Sequence, residues 1–156
     1  MAKKKVLISF QESSITRAQQ KEIQKRIKQV YKQFTKRSVK LMIIWSAVPK
    51  GQSFTNYKAS QMAWIAIEGH TSIDQNKRKK IIMAVCDSWE EVTEISSHDL
   101  MVTLGDPEFL PEYLELNIDK INLRKRKSFL VKTLYAMAKS KILTGLFTIP
   151  LNRGKN

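Results

Sequence analysis

An internal repeat constrains this fold more than any other feature of the sequence. Apolar residues recur at matching positions 58 residues apart, as Ile23 is from Ile81. The matched pairs are Ile23 and Ile81, Ile27 and Val85, Tyr31 and Trp89, and Phe34 and Val92. Spacings of three and four predict an amphipathic helix in each stretch, and Thr16 and Asp74, at the same offset, are expected to cap these helices. The sequence therefore predicts a duplicated unit.

Strand patterns lie on both sides of each predicted helix. Val6, Ile8 and Phe10 occupy every second position, which predicts a strand with one buried face. Residues 39–45 form a nearly continuous apolar run, which is typical of a strand buried on both faces. In the second stretch, residues 63–67 and 100–104 supply the corresponding strands. Each stretch is thus a β-α-β unit, whose crossover makes its two strands parallel.

The predicted fold class is α/β, with duplicated β-α-β units giving a four-stranded sheet with two helices on one face, plus a C-terminal helical extension. We expect a single domain over residues 1–156, divided into a first unit (4–60), a second unit (61–107) and the extension (108–156). The extension is predicted to hold a helix over about 124–143 with one apolar stripe. Its apolar tail, residues 146–151, is hypothesised to add an edge strand to a neighbouring subunit. Met42 and Ile44 make the second sheet face apolar, which predicts oligomers.

Charge is distributed unevenly along the chain. The net charge is +14, from 28 Lys and Arg against 14 Asp and Glu. Residues 1–60 and 120–156 are strongly basic, whereas residues 61–119 are acidic. An excess of this size predicts an anionic partner. The basic runs 77–80 and 124–127 suggest nucleic acid, but no aromatic residues are interleaved with them, so nucleic acid is the less favoured partner.

Several classes of protein are not expected. Cys86 is the single cysteine, which excludes an internal disulfide, and we interpret it as a small buried apolar residue and not as a nucleophile. His70 and His98 have no neighbouring ligands in the sequence, so we expect no metal and no cofactor. The chain contains no apolar run near the ~18 residues of a membrane span. We therefore expect no membrane contact and a cytoplasmic location.

Over residues 4–107 the chain resembles the tautomerase superfamily, whose subunits are single or fused β-α-β units. It is most similar to the fused branch that includes cis-3-chloroacrylic acid dehalogenase. In the first unit the resemblance is carried by the strand 6–10, Ile15-Thr16, Ser38-Val39-Lys40-Leu41-Met42-Ile43-Ile44, Lys50-Gly51, Phe54 and Ala59-Ser60. In the second unit it is carried by Ile67-Glu68-Gly69-His70, Lys77 and residues 101–107.

The resemblance implies a homotrimer and a site built around an amino-terminal proline, whose amine transfers protons while arginines hold substrate carboxylates. Here no proline follows Met1, and alignment of the helix entries puts Lys4 at the place of that proline. Lys40 stands in place of the strand arginine, His70 in place of a loop arginine, and Phe54 in place of the pocket aromatic. The candidate site is therefore Lys4 as the catalytic amine, with Lys40, Phe54 and His70 binding substrate.

Each of these residues also has a purely structural interpretation. Lys4 lies in the run Lys3-Lys4-Lys5, which is also a simple solvated start to a chain. Lys40 lies between apolar neighbours on a strand, and His70 lies in a loop where histidines are commonly solvent-exposed. Phe54, with Tyr57, either lines a pocket or fills an oligomer interface.

Two functions stay open at this point. The first is a tautomerase-like protein with a remodelled, proline-less site that transfers a proton on a small anionic 2-oxo acid, as an isomerase or as a lyase or hydratase. The alternative is a non-catalytic basic binding or scaffold protein of the same fold, with an anionic polymer or another protein as its ligand.

Overall fold

The computed structural model shows two β-α-β units joined in one sheet; it describes residues 3–35, 39–55, 57–69, 73–106 and 123–150. The first unit is β1 (Lys3–Gln11), α1 (Arg17–Thr35) and β2 (Lys40–Val48). A small hairpin of β3 (Phe54–Thr55) and β4 (Lys58–Ala59) follows. The second unit is β5 (Ala63–Glu68), α2 (Gln75–Thr93), a 3-10 turn (Ser97–Asp99) and β6 (Leu100–Gly105). The extension contributes α3 (Leu123–Thr144) and β7 (Phe147–Pro150).

The sheet has the order β6-β5-β1-β2-β7. Strands within each unit are parallel, and the two units meet where β1 and β5 run antiparallel. The α/β class and the duplicated β-α-β architecture are confirmed, and the two helices begin and end 58 residues apart. The sheet gains a fifth strand, because β7 pairs in parallel with β2 of its own chain. The hypothesis that this tail pairs with a neighbouring subunit is therefore not what the structure shows.

Both predicted helix caps are present. The Thr16 hydroxyl accepts a hydrogen bond from the Gln19 backbone N–H at 3.3 Å, and the Gln19 side chain accepts one from the Thr16 N–H at 2.8 Å. This reciprocal pair is a capping box. The Asp74 carboxylate accepts from the Lys77 backbone N–H at 2.8 Å. Caps of different chemistry thus start both helices at equivalent positions.

The core lies between the two helices and one face of the sheet. α1 buries Ile23, Ile27 and Tyr31, and α2 buries Ile81, Val85 and Trp89. Beneath them the strands bury a continuous apolar layer consisting of Val6, Ile8, Leu41, Ile43, Trp45, Ile65, Ile67 and Leu104. Burial of each large side chain contributes about 1.5–3 kcal/mol, so this layer is the main source of stability.

A close contact between glycines joins the ends of β5 and β6. The Gly69 N–H donates to the Gly105 carbonyl at 2.8 Å. A Cβ atom on residue 69 would lie 2.4 Å from the same oxygen, which is too close for any side chain. Gly69 therefore allows a contact that fixes the path of the backbone directly after Glu68.

The opposite sheet face is less covered. Within β2, Leu41, Ile43 and Trp45 are buried, whereas Met42 and Ile44 are only half-buried, so the prediction of a strand buried on both faces is not met within one chain. Met101 on β6 is 44% exposed. On α3, Val131, Tyr135 and Ile142 are exposed while Met137 is buried, so the predicted apolar stripe faces away from the sheet. No helix in the described part of the chain is long and apolar enough to span a bilayer.

Candidate functional site

The first half of β2 has an open edge. β7 pairs only with Ile44 to Ala47, so the stretch from Lys40 to Ile43 has no strand beyond it among the described residues. Backbone groups along an uncovered edge can still form hydrogen bonds with a ligand or another chain. A cleft of about 360 Å³ lies along this stretch, between α1 and the extension.

Three lysines from three different elements line this cleft. Lys28 comes from α1, Lys40 from the start of β2 and Lys141 from the end of α3. Gln24, one turn before Lys28, also lines it. The remaining lining residues are apolar, namely Leu41, Met42, Ile43 and Phe147. Among the described residues no carboxylate lines the cleft, so its positive charge is not balanced locally.

The extension holds Lys141 in a fixed position. Its Nζ donates to the Gly145 carbonyl at 2.7 Å and lies 5.0 Å from the centre of the Phe147 ring. Gly145 has a φ of +77°, which allows the chain to leave α3 and turn directly into β7. The cation-π contact and the helix-end hydrogen bond therefore place one ammonium at the mouth of the cleft.

Lys28 is affected by this arrangement. Burial lowers the pKa of its amine below the ordinary value of 10.5, and the charges of Lys141 and Lys40 lower it further. Each cause disfavours the ammonium form. The lowered pKa increases the fraction of the Lys28 amine that is neutral at a given pH.

The combination of cations and an apolar wall suits one class of ligand. Ammonium groups attract carboxylates or phosphates, and the Phe147 ring and the β2 side chains offer a surface for a short hydrocarbon or aromatic group. The cleft is large enough for a molecule of a few carbons and is open to solvent. An organic anion with an apolar part fits both features.

Lys40 lies in this cleft, but Lys4 does not. In the sheet register Lys4 pairs with Leu41 and Lys40 pairs with Lys3, so the Lys4 and Lys40 side chains leave the sheet on opposite faces. The Lys4 Nζ lies 3.1 Å from a Glu68 oxygen, and the two side chains are only 12% and 10% exposed. The other Glu68 oxygen accepts from the Lys5 backbone N–H at 3.0 Å. Lys4 is therefore held by a carboxylate from the second unit.

The other two predicted site residues are not brought to the cleft. Phe54 is 63% exposed on the β3-β4 hairpin, beside the fully exposed Tyr57. His70 lies outside the described residues. Within one chain, then, Lys40 is the predicted residue that shares a cleft with other functional groups.

Sequence reasoning did not find Lys28, Lys141 or Phe147. Lys28 follows Ile27 on a helix whose other exposed positions are also polar, so nothing in its spacing marks it. Lys141 and Phe147 belong to the extension, which the family resemblance does not cover. A useful signal was available in the last turn of α3, where a lysine precedes glycine by four residues and a strand pattern follows.

Other chemistry has little support in the described residues. Within the described ranges, no group of three or more His, Cys, Asp or Glu residues is arranged to hold a metal ion. Burial raises the pKa of the Cys86 thiol above its ordinary value of 9.0, and the charges of Asp87 and Glu90 raise it further. A thiol in that state is a poor nucleophile.

Comparisons with known proteins give structural matches alone. Neither a family model nor a curated protein matches the sequence. Pt0534 inactivated by 2-oxo-3-pentynoate is 20% identical, with a TM-score of 0.57, and the match covers 65% of this chain and 84% of that one. A fused 4-OT symmetric trimer is 13% identical, with a TM-score of 0.58. That match covers 65% of this chain and 84% of the fused 4-OT chain.

N1, a member of the cis-3-chloroacrylic acid dehalogenase family, is 9% identical with a TM-score of 0.60. That match covers 80% of this chain and 96% of N1. These neighbours are members of the tautomerase superfamily. The order of the strands, the duplication and these matches agree with the resemblance in the sequence, and the chain has the tautomerase-superfamily fold.

Proposed function

We propose that this protein binds a small 2-oxo acid anion in the cleft along β2 and transfers a proton at the carbon next to the carbonyl. The observation that carries the proposal is the placement of Lys40 with Lys28 and Lys141 around one partly apolar cleft. The protein would then be a tautomerase-fold enzyme with a remodelled site, acting as an isomerase or a lyase.

The chemistry of a 2-oxo acid suits this cleft. Its carboxylate is held by ammonium groups, and removal of a proton from its third carbon puts negative charge on the carbonyl oxygen. Fixed positive charge stabilises that oxygen, and the stabilisation is larger when water is partly excluded. Similarity to Pt0534 supports the substrate class, because that protein is inactivated by 2-oxo-3-pentynoate, itself a 2-oxo acid.

Lys4 is the alternative acid or base, at a second place on the sheet, because the cleft along β2 does not include it. Its amine and the Glu68 carboxylate form a mostly buried pair, so a proton leaving Lys4 has a nearby acceptor. The pair lies at the end of the sheet where β1 begins, where the resemblance places the catalytic amine. His70 directly follows Gly69, and its role as a substrate-binding residue stays a prediction.

A ketonisation assay tests the proposal. The enol form of phenylpyruvate is added to the protein, and the loss of its ultraviolet absorbance is compared with buffer alone. Lys40→Ala is expected to lower kcat/KM about tenfold, equivalent to ~1.4 kcal/mol, because a carboxylate contact is lost. Lys25→Ala, on the exposed side of α1, is the matched control and is expected to change kcat/KM less than about twofold. A rate equal to that of buffer would reject the enzyme proposal.

A double variant isolates Lys4. Lys4→Met alone would leave the Glu68 carboxylate buried without a partner, so Lys4→Met is combined with Glu68→Gln. Loss of kcat with unchanged ligand binding would support Lys4 as the proton carrier. Full turnover in this folded double variant would remove Lys4 from the chemistry and leave the cleft proposal intact.

We propose self-association into a trimer as part of this function. The half-covered sheet face around Met42, Ile44 and Met101 is apolar, and the hairpin carrying Phe54 and Tyr57 projects from the chain. Several similar structures are fused 4-OT trimers. In a trimer Phe54 would complete the site of a neighbouring copy. Sedimentation equilibrium tests the trimer proposal. Met101→Asp is expected to convert a trimer to monomers. A native protein that is monomeric would reject the trimer proposal.

The non-catalytic alternative is favoured by one surface. The α3 sequence contains seven Lys or Arg and no Asp or Glu. Val131, Tyr135 and Ile142 are exposed on the same helix, with Ile142 at 84%. Binding of a single-stranded nucleic acid measured across a salt series separates the alternatives, because phosphate contacts give an affinity that falls steeply with salt. An absent or salt-independent signal would reject the polyanion alternative.

A further inference from the structure

Two lysine amines of the described structure have contrasting surroundings. The Lys4 amine is held by a Glu68 carboxylate oxygen at 3.1 Å. Lys28 lines the cleft instead, on the helix face next to Gln24 and opposite the β2 edge. Within the described residues its side chain forms no hydrogen bond or ion pair, so its amine is available to a ligand.

The groups around Lys28 are arranged to present an oxo acid to it. Lys40 and Lys141 line the same cleft from two other elements, and Lys141 is anchored by Gly145 and Phe147. A carboxylate held by these two ammonium groups would place its adjacent carbonyl carbon within the same small space. The Gln24 amide can hydrogen-bond the carbonyl oxygen from one turn along α1.

We propose that Lys28 is the nucleophilic amine of this cleft and forms an imine with the carbonyl carbon of a small 2-oxo acid whose carboxylate is bound by Lys40 and Lys141. This inference rests on the proposed function and names its reacting group. Lys28 would be a catalytic residue, because its nitrogen bonds to the substrate.

The step is balanced without any further reactant. The neutral amine adds its lone pair to the carbonyl carbon, a proton moves from nitrogen to oxygen, and the carbinolamine forms. The second nitrogen-bound proton then moves to the hydroxyl group, the carbon–oxygen bond breaks, water leaves and the carbon–nitrogen double bond forms. In its protonated form this imine withdraws electrons, so the neighbouring carbon loses a proton more readily than in the free acid. Hydrolysis returns the amine and the oxo acid.

The electrostatics agree with this role. Burial and the charges of Lys141 and Lys40 lower the pKa of Lys28, which increases the fraction of neutral amine at a given pH. A lysine surrounded by cations in a partly apolar site is a known way to obtain an amine nucleophile. Lys25, three residues earlier on α1, pairs with the Glu22 carboxylate at 3.6 Å, whereas Lys28 lines the cleft that Lys40 and Lys141 also line.

Reductive trapping tests the proposal directly. The full-length protein is incubated with phenylpyruvate and sodium cyanoborohydride, which reduces the imine to a stable secondary amine, and modified peptides are mapped by mass spectrometry. We expect the adduct on Lys28 at a rate about tenfold or more above that of Lys25. An adduct concentrated on Lys4, or spread evenly over the lysines, would overturn the proposal.

Two variants make the test specific. Lys28→Arg keeps the positive charge but cannot form an imine, so trapping should disappear while phenylpyruvate binding, measured by calorimetry, changes less than about threefold. Lys40→Met should slow trapping at Lys28 about five- to tenfold through loss of carboxylate attraction. If Lys28→Arg does not fold, as judged by circular dichroism, adduct mapping on the native protein decides alone.

Failure of this proposal is distinguishable from failure of the proposed function. Binding and enol turnover without an adduct on Lys28 would reject the imine and keep the proton-transfer proposal. No saturable binding of phenylpyruvate would reject both. Binding with an adduct on Lys28 but no turnover would support the imine and move the enzyme class away from tautomerisation.

Discussion

The two repeated units place different residues at the same point of the fold, and their surroundings have opposite chemical consequences. Lys28 on α1 corresponds to Cys86 on α2 at the offset of 58 residues. Burial and two ammonium groups lower the pKa of Lys28, whereas burial and two carboxylates raise the pKa of Cys86. Both shifts favour the neutral form, which makes the lysine more nucleophilic and the cysteine less so. The same preference for the neutral form therefore favours the nucleophilic form of the amine and disfavours that of the thiol, whose nucleophile is the thiolate.

The extension increases the difference between the units. β7 pairs with β2, and α3 brings Lys141 to the β2 cleft. In the described structure β6, the outer strand of the second unit, has β5 as its sheet partner and nothing beyond it. Lys40 at the start of β2 corresponds to Asp99 just before β6 at an offset of 59. The first unit therefore has a cationic cleft along its outer strand, whereas the second unit has Asp99 at the position of Lys40 and, among the described residues, an uncovered outer strand.

The largest expected effect concerns the mostly buried ion pair of Lys4 and Glu68, which lies between the two units. Glu68→Gln removes the carboxylate from the buried Lys4 ammonium, so we expect unfolding to become easier by about 3 kcal/mol. Glu22→Gln removes exposed ion pairs with Lys25 and Arg26 inside the first unit and should cost ~0.2–1 kcal/mol. Urea unfolding followed by circular dichroism gives both values. Equal losses of unfolding free energy in the two variants would show that the buried pair between the units stabilises the fold no more than exposed pairs do.

A smaller effect is expected at Cys86. Asp87→Asn removes a charge that raises the pKa of Cys86, so the thiolate fraction and the rate of alkylation by iodoacetamide at pH 8 should rise. An exposed charge contributing ~0.5 kcal/mol corresponds to about a two- to threefold change in rate. Glu94→Gln, at the exposed C-cap of α2, is the control and should leave the rate unchanged. A slower rate in Asp87→Asn would contradict this account of the second unit.

The smallest effect is the stability cost of Lys28. Because its pKa is lowered in the folded state, the unfolded chain binds more protons between that pKa and 10.5, and stability rises as pH rises through this interval. Lys28→Met removes the cost, so the variant should be the more stable protein at pH 7, by less than about 1 kcal/mol because the amine is partly screened by solvent. The difference should shrink as pH approaches 10. A difference in Tm between Lys28→Met and the native protein that grows with pH would contradict this expectation.

The fold could be predicted in detail because both units follow the same apolar spacing. Ile23, Ile27 and Tyr31 and their counterparts on α2 mark the buried helix faces, and Thr16 and Asp74 mark the helix starts. The fate of the C-terminal tail could not be predicted in the same way. An apolar strand such as Phe147–Pro150 pairs equally well with any open parallel edge, and the geometry after Gly145 decides that it pairs with β2 of its own chain.

The site was less predictable than the fold. Lys40 was found because a family pattern puts a cation at the start of β2, and the structure places it in the cleft. Lys28 and Lys141 lie 12 and 101 residues from Lys40 in the sequence, and they meet only because α1 crosses the sheet and α3 returns to its edge. Lysines are common in this basic chain, so the local sequence does not distinguish these three from the others. Their convergence depends on three-dimensional packing.

The most direct test is a crystal structure of the protein with phenylpyruvate bound. We predict ligand density in the cleft along β2, with the carboxylate within hydrogen-bonding distance of Lys40 and Lys141 and the carbonyl carbon adjacent to the Lys28 nitrogen. Ligand density beside Lys4 and Glu68, with the cleft empty at saturating ligand, would contradict the claim that the reactive site lies at the edge of the first unit.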